Sequence, residues 1–424
     1  MTAWRRLACV VCCIAGALLG CERVGPAATQ PVDGAQNGQA AAGNPGERVR
    51  ALQALPYAGF VAREDDEPGD GVVLHDPQRA CPGYSLYTVH DLCTAELIDT
   101  EGTVVRSWRA DGGGHSWSNV ELLSSGDLLV VGTDAAAQGD ASMQDELRYV
   151  ARFDWSGRLL WKRFANAHHD IEQWPDGSLL TLTFRRLTMR VPNQPRTMRD
   201  DQLTLLDAHG NVLNTRSLME AIVAAPETFP LGRAPIINVS GEPWVDVLHC
   251  NSIQRQPFEA LRGRHAIYGA DSILVCFRHQ DRIAVFDWAT GGLLWAWGRG
   301  ELSGPHDAQY LENGDILVFD NGIREKRSRV VQLNPLSGEI VWQYQADPPQ
   351  EFFSLTKGSC QRLPNGNTLI ANSDSGEAFE VTPAGETVWR FLCPHHNEKG
   401  ERATIARMKR YDAEWIDRLL AETE

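Results

Sequence analysis

The chain has 424 residues, 43% of them hydrophobic, and a formal net charge of −15. That length would house two average domains, and the acidic balance excludes the broad basic face that a nucleic-acid partner requires. An anionic small molecule would need a local cationic pocket inside an acidic surface.

The N-terminus reads as a targeting segment. Arg5 and Arg6 precede an apolar stretch from Leu7 to Leu19, and Leu18-Leu19-Gly20-Cys21 matches a lipobox. The stretch is short for a transmembrane helix. Residues 1–20 are expected to be a lipoprotein signal peptide, with Cys21 the lipidated first residue of the mature chain. Glu22 follows instead of Asp, so retention in the inner membrane is not indicated. The expected location is periplasmic, anchored by lipid to the outer membrane. Residues 21–55, rich in Ala, Gly, Gln and Pro, read as a flexible tether.

From residue 56 to 400 two short patterns recur. One is Asp/Pro-x-x-Gly followed by apolar residues and often closed by Trp: Asp99–Trp108, Asp154–Trp161, Asp207–Leu213, Asp287–Trp295, Pro335–Trp342 and Pro383–Trp389. A polar turn with Gly at its tip between β-branched or leucine residues is a hairpin signature. The other is a Gly or Asp that opens an alternating apolar run, at Gly126, Gly177, Asp271, Gly314 and Gly366, with a further copy near the N-terminus at Gly83. Repeats roughly 40–50 residues apart, each with about four short strands, predict a β-propeller. Either pattern counts six blades. The fold class is all-β, a six-bladed propeller whose N-terminal strand completes the last blade and closes the ring. The tryptophans are expected to pack between neighbouring sheets. Residues 401–424 predict a C-terminal helix, since Ile405, Met408, Tyr411, Trp415 and Leu419 recur at intervals of three and four. The arginine-rich insertion from Arg185 to Arg199 reads as a solvated loop, with a lid over the channel as the other possibility.

Six cysteines follow Cys21. Export would place them in an oxidising compartment, where Cys81 with Cys93 and Cys250 with Cys276 are candidate pairs, each flanking a strand or loop. Buried free thiols are the other reading. Among these six there is no CxxC and no zinc-ligand spacing.

Three histidines stand out. His169-Asp170 and His306-Asp307 each lie eight residues before a glycine of the repeat, Gly177 and Gly314, and His249 occupies the corresponding place in the repeat between them. In a radial fold, equivalent positions face one axis. Arg278, just past the run that starts at Asp271, is expected beside them. A guanidinium suits tetrahedral oxyanions; a neutral imidazole can act as a nucleophile, and a protonated one can supply a leaving group with its proton. Asp170 and Asp307 are candidate supporting partners of the histidines. Asn251 either holds a turn or donates to an oxyanion. His168 replaces His169 if the register shifts by one, and His279 is expected to face away from Arg278's side if the strand continues. Three histidines with an open position also fit a catalytic zinc, but an arginine in the same pocket opposes a cation, so no metal and no cofactor is expected.

The stretches HHDIEQWPDGSLL (168–180), DVLHCNSI (246–253), SILVCFRHQDRIAVFDWATGGLLWAWG (272–298) and GPHDAQYLENGDILVFDNG (304–322) resemble the bacterial aryl sulfotransferases that use no nucleotide donor. The resemblance extends more loosely through 358–381. It implies a six-bladed propeller and a ping-pong reaction in which a phenolic sulfate ester gives its sulfuryl group to a histidine and a phenol then takes it. By motif position the nucleophile is His306, while His249, Arg278 and His169 match the residues that bind sulfuryl oxygens and assist the leaving phenolate. Asp246-Val247-Leu248 stands where the family often has an aromatic pair, and Pro305 where it often has Gln. The competing expectations are a non-catalytic propeller lipoprotein that serves as a scaffold or ligand-binding module, and a metal-dependent hydrolase using the same histidines.

Overall fold

The computed structural model describes residues 59–62, 69–110, 114–135, 145–191, 194–232, 235–239 and 242–422. The expected signal peptide and the whole of the expected tether, Cys21 included, lie outside them. Among the described residues no helix is long and apolar enough to cross a membrane.

Six antiparallel blades succeed one another around an axis. Blade 2 holds Ser116–Leu122, Leu128–Thr133, Arg148–Phe153 and Leu159–Phe164. In blade 3 the strands are Ala167–Gln173, Leu179–Val191, Gln194–Leu206 and Val212–Ser217. Cys250–Arg255, Ser272–Phe277, Arg282–Asp287 and Leu293–Trp297 form blade 4, and His306–Tyr310, Ile316–Asp320, Arg329–Leu333 and Ile340–Tyr344 form blade 5. Ser359–Arg362, Thr368–Asn372, Glu377–Val381 and Thr387–Leu392 make blade 6. The all-β, six-bladed reading of the sequence therefore holds.

Both ends of the chain close the ring. The N-terminal strand Gly71–His75 pairs with Thr387–Leu392 and adds a fifth strand to blade 6. The next three N-terminal strands, Tyr84–Val89, Thr94–Ile98 and Val104–Arg109, build blade 1, and its innermost strand, Ile405–Tyr411, comes from the C-terminus. Residues 401–424 are thus not one helix. The helix, Ala413–Ala421, starts only after that strand, capped by Asp412, whose side chain accepts from Trp415 N at 2.9 Å. It packs Ile416, Trp415 and Leu419 against blades 1 and 2. The three-residue spacing of Ile405 and Met408 imitates a helix because the strand is irregular between them. A bulge replaces the two-residue alternation locally.

The Arg185–Arg199 segment is likewise no loop. Leu179–Val191 and Gln194–Leu206 pair along their full length, extending blade 3 into a long hairpin, and Glu242–Asp246 pairs in parallel with its returning strand. The cross-strand pair Arg185–Asp200 carries an ion pair at 2.7 Å, and the alternation of Leu203, Leu205 and the leucines opposite supplies the apolar face.

The apolar residues gather into six clusters, one in each seam between adjacent blades. The blade hairpins clasp these seams. Trp108 Nε1 donates to Asp154 O at 3.0 Å, Trp342 Nε1 to Pro383 O at 2.9 Å and Trp389 Nε1 to Thr100 O at 2.8 Å. In each case the Trp of one blade reaches the turn of the next. The turns are fixed by their first residue: Asp99 Oδ1 accepts from Glu101 N and Thr103 N, and Gly102 takes a φ of 87° that a residue with a Cβ resists. Because the core lies between blades, the axis is free to be polar.

All six cysteines among the described residues are free and buried, so neither candidate pair forms. Cys81 and Cys93 are raised above the ordinary thiol range by burial, Cys93 to about 12.

Candidate active site

Each inner strand begins at one mouth of the ring. Three of these beginnings carry the predicted histidines, and the strands are irregular there: the pairing shifts between Ala167 and Ile171, between Cys250 and Ser252, and between His306 and Gln309. His169 and His249 have φ values of 61° and 50°, and Asp307 one of 51°. A bulge turns a strand's side chains out of strict alternation. That lets a histidine and the aspartate after it both serve the axis.

His306 is buried, at 6% exposure. Its Nδ1 lies 2.7 Å from Asn321 Oδ1 and 3.1 Å from Gly304 O. Asn321 Nδ2 donates to Ser354 O and Lys357 O, both at 2.7 Å, so the amide's oxygen must be the atom that faces the imidazole. Both neighbours of Nδ1 are acceptors. Nδ1 therefore carries the proton and Nε2 keeps its lone pair. Burial first, then the nearby Arg278 charge, pull His306 down to about 3. At neutral pH it is an uncharged imidazole.

His249 Nδ1 meets Asp246 Oδ2 at 2.6 Å. Burial lowers this histidine to about 4, although Asp246 pulls the other way, and the same contact with His249 holds the Asp246 carboxyl well below its ordinary range despite burial. His249 Nε2 is thus the nitrogen without the proton. His279 does not face away. The strand ends at Phe277 and a single tight turn over Arg278–Gln280 follows, so the His279 ring lies tilted against His249 with ring centres 4.5 Å apart. Its Nδ1 donates to Asp246 O at 2.7 Å, and its Nε2 accepts from Arg278 Nη1 at 3.1 Å. Arg278 Nη2 also donates to Leu355 O at 3.4 Å. The guanidinium is therefore held by a neutral histidine that Asp246 orients.

His169 lies 5.3 Å from His249 by ring centres. His168 stands behind it. The Nε2 of His168 faces two acceptors, Thr183 O and Asp201 Oδ1, each at 3.3 Å, and its Nδ1 is 2.8 Å from His169 Nδ1. His168 thus protonates at Nε2 and accepts from His169 Nδ1. Arg199 Nη2 rests on the His168 ring, 2.8 Å from Nδ1 and 2.9 Å from Nε2, while Arg199 Nε pairs with Asp201 at 2.7 Å. Burial drives His169 well below the usual imidazole range, and His168 to about 4.

Asp170 and Asp307, the candidate supporting partners, bond across to other blades. Asp170 accepts from Ile253 N of blade 4 at 2.9 Å and from Asn119 of blade 2 at 2.6 Å; Asp307 accepts from Cys360 N of blade 6 at 2.9 Å. Arg407 of blade 1 bridges the two. They are inter-blade ties, one step below the mouth. Asn251 does not hold a turn: its Nδ2 donates to Pro305 O at 2.8 Å, tying blade 4 to the residue before His306.

Asp246, Asn321, Arg199 and Arg407 all belong to the site or its floor and were not singled out by sequence. Asp246 carried a signal, standing three residues before His249 where an aromatic is usual. Asn321 lies in FDNG, which reads as a turn, and Arg407 lies in a stretch whose spacing mimics a helix. Asp246, His249 and His279 bring ligand atoms within 4.8 Å of one another, a set that would suit a divalent cation. Arg278 at 3.1 Å from His279, and the positive charge of Arg199 acting on Asp246, oppose one there.

A family model described as Arylsulfotransferase (ASST) matches residues 148–394. No curated protein matches the chain. Among solved structures, the chain is similar to a protein of unknown function from Bacteroides caccae, with 17% identity over 77% of this chain and 98% of that one and a TM-score of 0.48. It is similar to a chain of a nidogen/laminin complex at 11% identity, 76% and 98% coverage and a TM-score of 0.44. A streptogramin B lyase structure matches at 9% identity, 83% and 96% coverage and a TM-score of 0.42.

Proposed function

The chain belongs to the arylsulfotransferase family, whose model spans more than half of it, and on that premise we propose that it moves a sulfuryl group from a phenolic sulfate ester to a phenol through a covalent intermediate on His306. The observation that carries this reading is the bond from His306 Nδ1 to Asn321 Oδ1, which leaves Nε2 with a lone pair. In the first half-reaction Nε2 attacks sulfur: an N–S bond forms, the S–O bond to the aryl group breaks, and the phenolate leaves. Arg278 faces the same pocket and offsets the sulfuryl oxygens' negative charge. His249 is suited to the proton. Its Nδ1–H points at Asp246, which stabilises the imidazolium once an anionic ester has entered. His249 Nε2 takes a proton from solvent as the anionic ester enters and gives it to the leaving phenolate. In the second half-reaction the acceptor phenol attacks sulfur, the N–S bond breaks, and His249 takes the phenol's proton back. His169, whose Nδ1 is committed to His168, lies beside His249 with ring centres 5.3 Å apart.

The test is the intact mass of the protein after incubation with 4-nitrophenyl sulfate and no acceptor. One added sulfuryl group on wild type, none on His306→Asn, and discharge by added phenol are expected; an adduct that survives His306→Asn would sink the assignment. The reading of Cys21 as a lipid anchor, with the mature chain periplasmic on the outer membrane, is part of the same proposal. The same spectrum of protein from membranes reads it: a mature N-terminus without lipid counts against it.

A further inference from the structure

Six equivalent positions, one on each inner strand, form a tier just below the histidines: Arg407, Asn119, Asp170, Ser252, Asp307 and Ser359, in blade order from 1 to 6. Most tie their blade to the next. Ser252 Oγ accepts from Ala308 N at 3.1 Å and Ser359 Oγ from Met408 N at 3.3 Å, as Asp170 and Asp307 accept from Ile253 N and Cys360 N. Arg407 departs from the pattern. Its Nη1 meets Asp170 Oδ1 at 3.1 Å, and its Nη2 meets Asp170 Oδ2 at 3.3 Å and Asp307 Oδ1 at 3.1 Å. Blade 1 neighbours blades 2 and 6, so a side chain from blade 1 that bonds blades 3 and 5 must cross the axis. Both aspartates are 5% exposed and the arginine 20%. The residue before each aspartate is a site histidine, His169 in blade 3 and His306 in blade 5.

We propose that Arg407 is a positioning residue for the sulfuryl-transfer site: its guanidinium spans Asp170 and Asp307 and sets the separation of His169 from His306 across the mouth. The inference rests on the transfer reading given above. Its physical basis is the rigid, planar fork of the guanidinium, which engages one carboxylate with both nitrogens and a second with one of them. A flexible ammonium cannot keep two blades in one register in this way. The strand that brings Arg407 is also the strand that completes blade 1. Ring closure and alignment of the reacting groups are then one event: a chain with an open ring would have its histidines but not their spacing. Blade 4 lies between blades 3 and 5 and is tied to each, and the guanidinium adds a direct link from Asp170 to Asp307.

The experiment compares the full chain with Arg407→Lys and with the double variant Arg407→Met/Asp307→Asn. The double variant keeps the net charge of the three side chains at one negative and puts an amide where the guanidinium met Asp307, so it remains informative if Arg407→Lys fails to fold. Binding of vanadate, which adopts the five-coordinate geometry of the transfer, is measured beside binding of inorganic sulfate, together with kcat and KM for 4-nitrophenyl sulfate. A misplaced reacting group weakens the transition state more than the ground state. Vanadate affinity and kcat are therefore expected to fall about tenfold in folded variants, with sulfate affinity and KM within about twofold of wild type. Wild-type vanadate affinity in either folded variant would overturn the inference. So would an equal weakening of vanadate and sulfate, which is the mark of a loosened fold. A wild type that binds vanadate yet forms no adduct defeats the transfer reading alone, since the ratio between variant and wild type still judges Arg407. One that binds neither oxyanion defeats both.

Discussion

His306 owes its free nitrogen to Asn321. The asparagine's own amide is committed to two backbone carbonyls, so its oxygen has one orientation and the imidazole has one tautomer. Gly304 O, at 3.1 Å from the same nitrogen, is a weaker second hold. Replacing Asn321 with Ala is expected to lower the rate of adduct formation roughly tenfold, the kinetic equivalent of about 1.4 kcal/mol, with KM for the donor nearly unchanged. Single-turnover release of nitrophenol measures it, and an unchanged rate would mean that Gly304 suffices. The histidines themselves were legible in the sequence because a repeat places equivalent positions on one axis. Asn321 was not, since an Asn-Gly pair after an apolar run reads as a turn until the strand beside it is known. His279 was misplaced for a similar reason: alternation along a strand holds only while the strand lasts, and it ends at Phe277.

The hairpins tell a second story, of how blades are joined. Trp389 of blade 6 is fully buried, lies parallel to Phe391 with ring centres 6.0 Å apart, and donates to Thr100 O at the seam where the two chain ends meet. Trp389→Phe removes the hydrogen bond and is expected to cost about 1 kcal/mol, whereas Trp389→Ala removes the packing too and is expected to cost about 3–5 kcal/mol. Urea unfolding measures both; a cost for Trp389→Ala below that of Trp389→Phe would show that the seam is not held there. The apolar periods predicted these strands well because each blade has a buried centre and a repeating turn. They misjudged two elements. Ile405–Tyr411 followed a three-residue spacing created by a bulge, and Arg185–Arg199 looked like a loop because its charges suggest solvent, whereas Arg185 pairs with Asp200 across the hairpin, Arg186 with Asp145 and Arg199 with Asp201.

Taken as a whole, the ring concentrates neutral imidazoles in its mouth. His168, His169, His249 and His306 are all shifted downward by burial. An unfolded chain takes up protons on these groups as pH drops through about 6.5, while the folded chain does not until about 4 or 3 for the three with the values given above. The unfolded state then binds more protons, so stability is full above about 6.5 and is lost as pH falls below it. Thermal melting from pH 8 to pH 4 is expected to show a level region and then a falling Tm, shallower in His306→Asn. A Tm that rises on acidification would mean the imidazoles become charged inside the fold.

What the sequence determined by itself was periodic: six repeats, the hairpin turns, the apolar seams and the three histidines in corresponding frames. Local chemistry and spacing suffice for those, since each repeat carries its own copy. What only the tertiary structure decided was whatever joins residues from different repeats: Asp246 serving both His249 and His279, His168 and Arg199 behind His169, Asn321 on His306, and Arg407 crossing from the last strand of the chain to blades 3 and 5. The physical reason is closure. A ring brings Arg407 within 3.1 Å of Asp170 although 237 positions separate them in the chain, and no periodicity along the chain records which side chains meet across its centre.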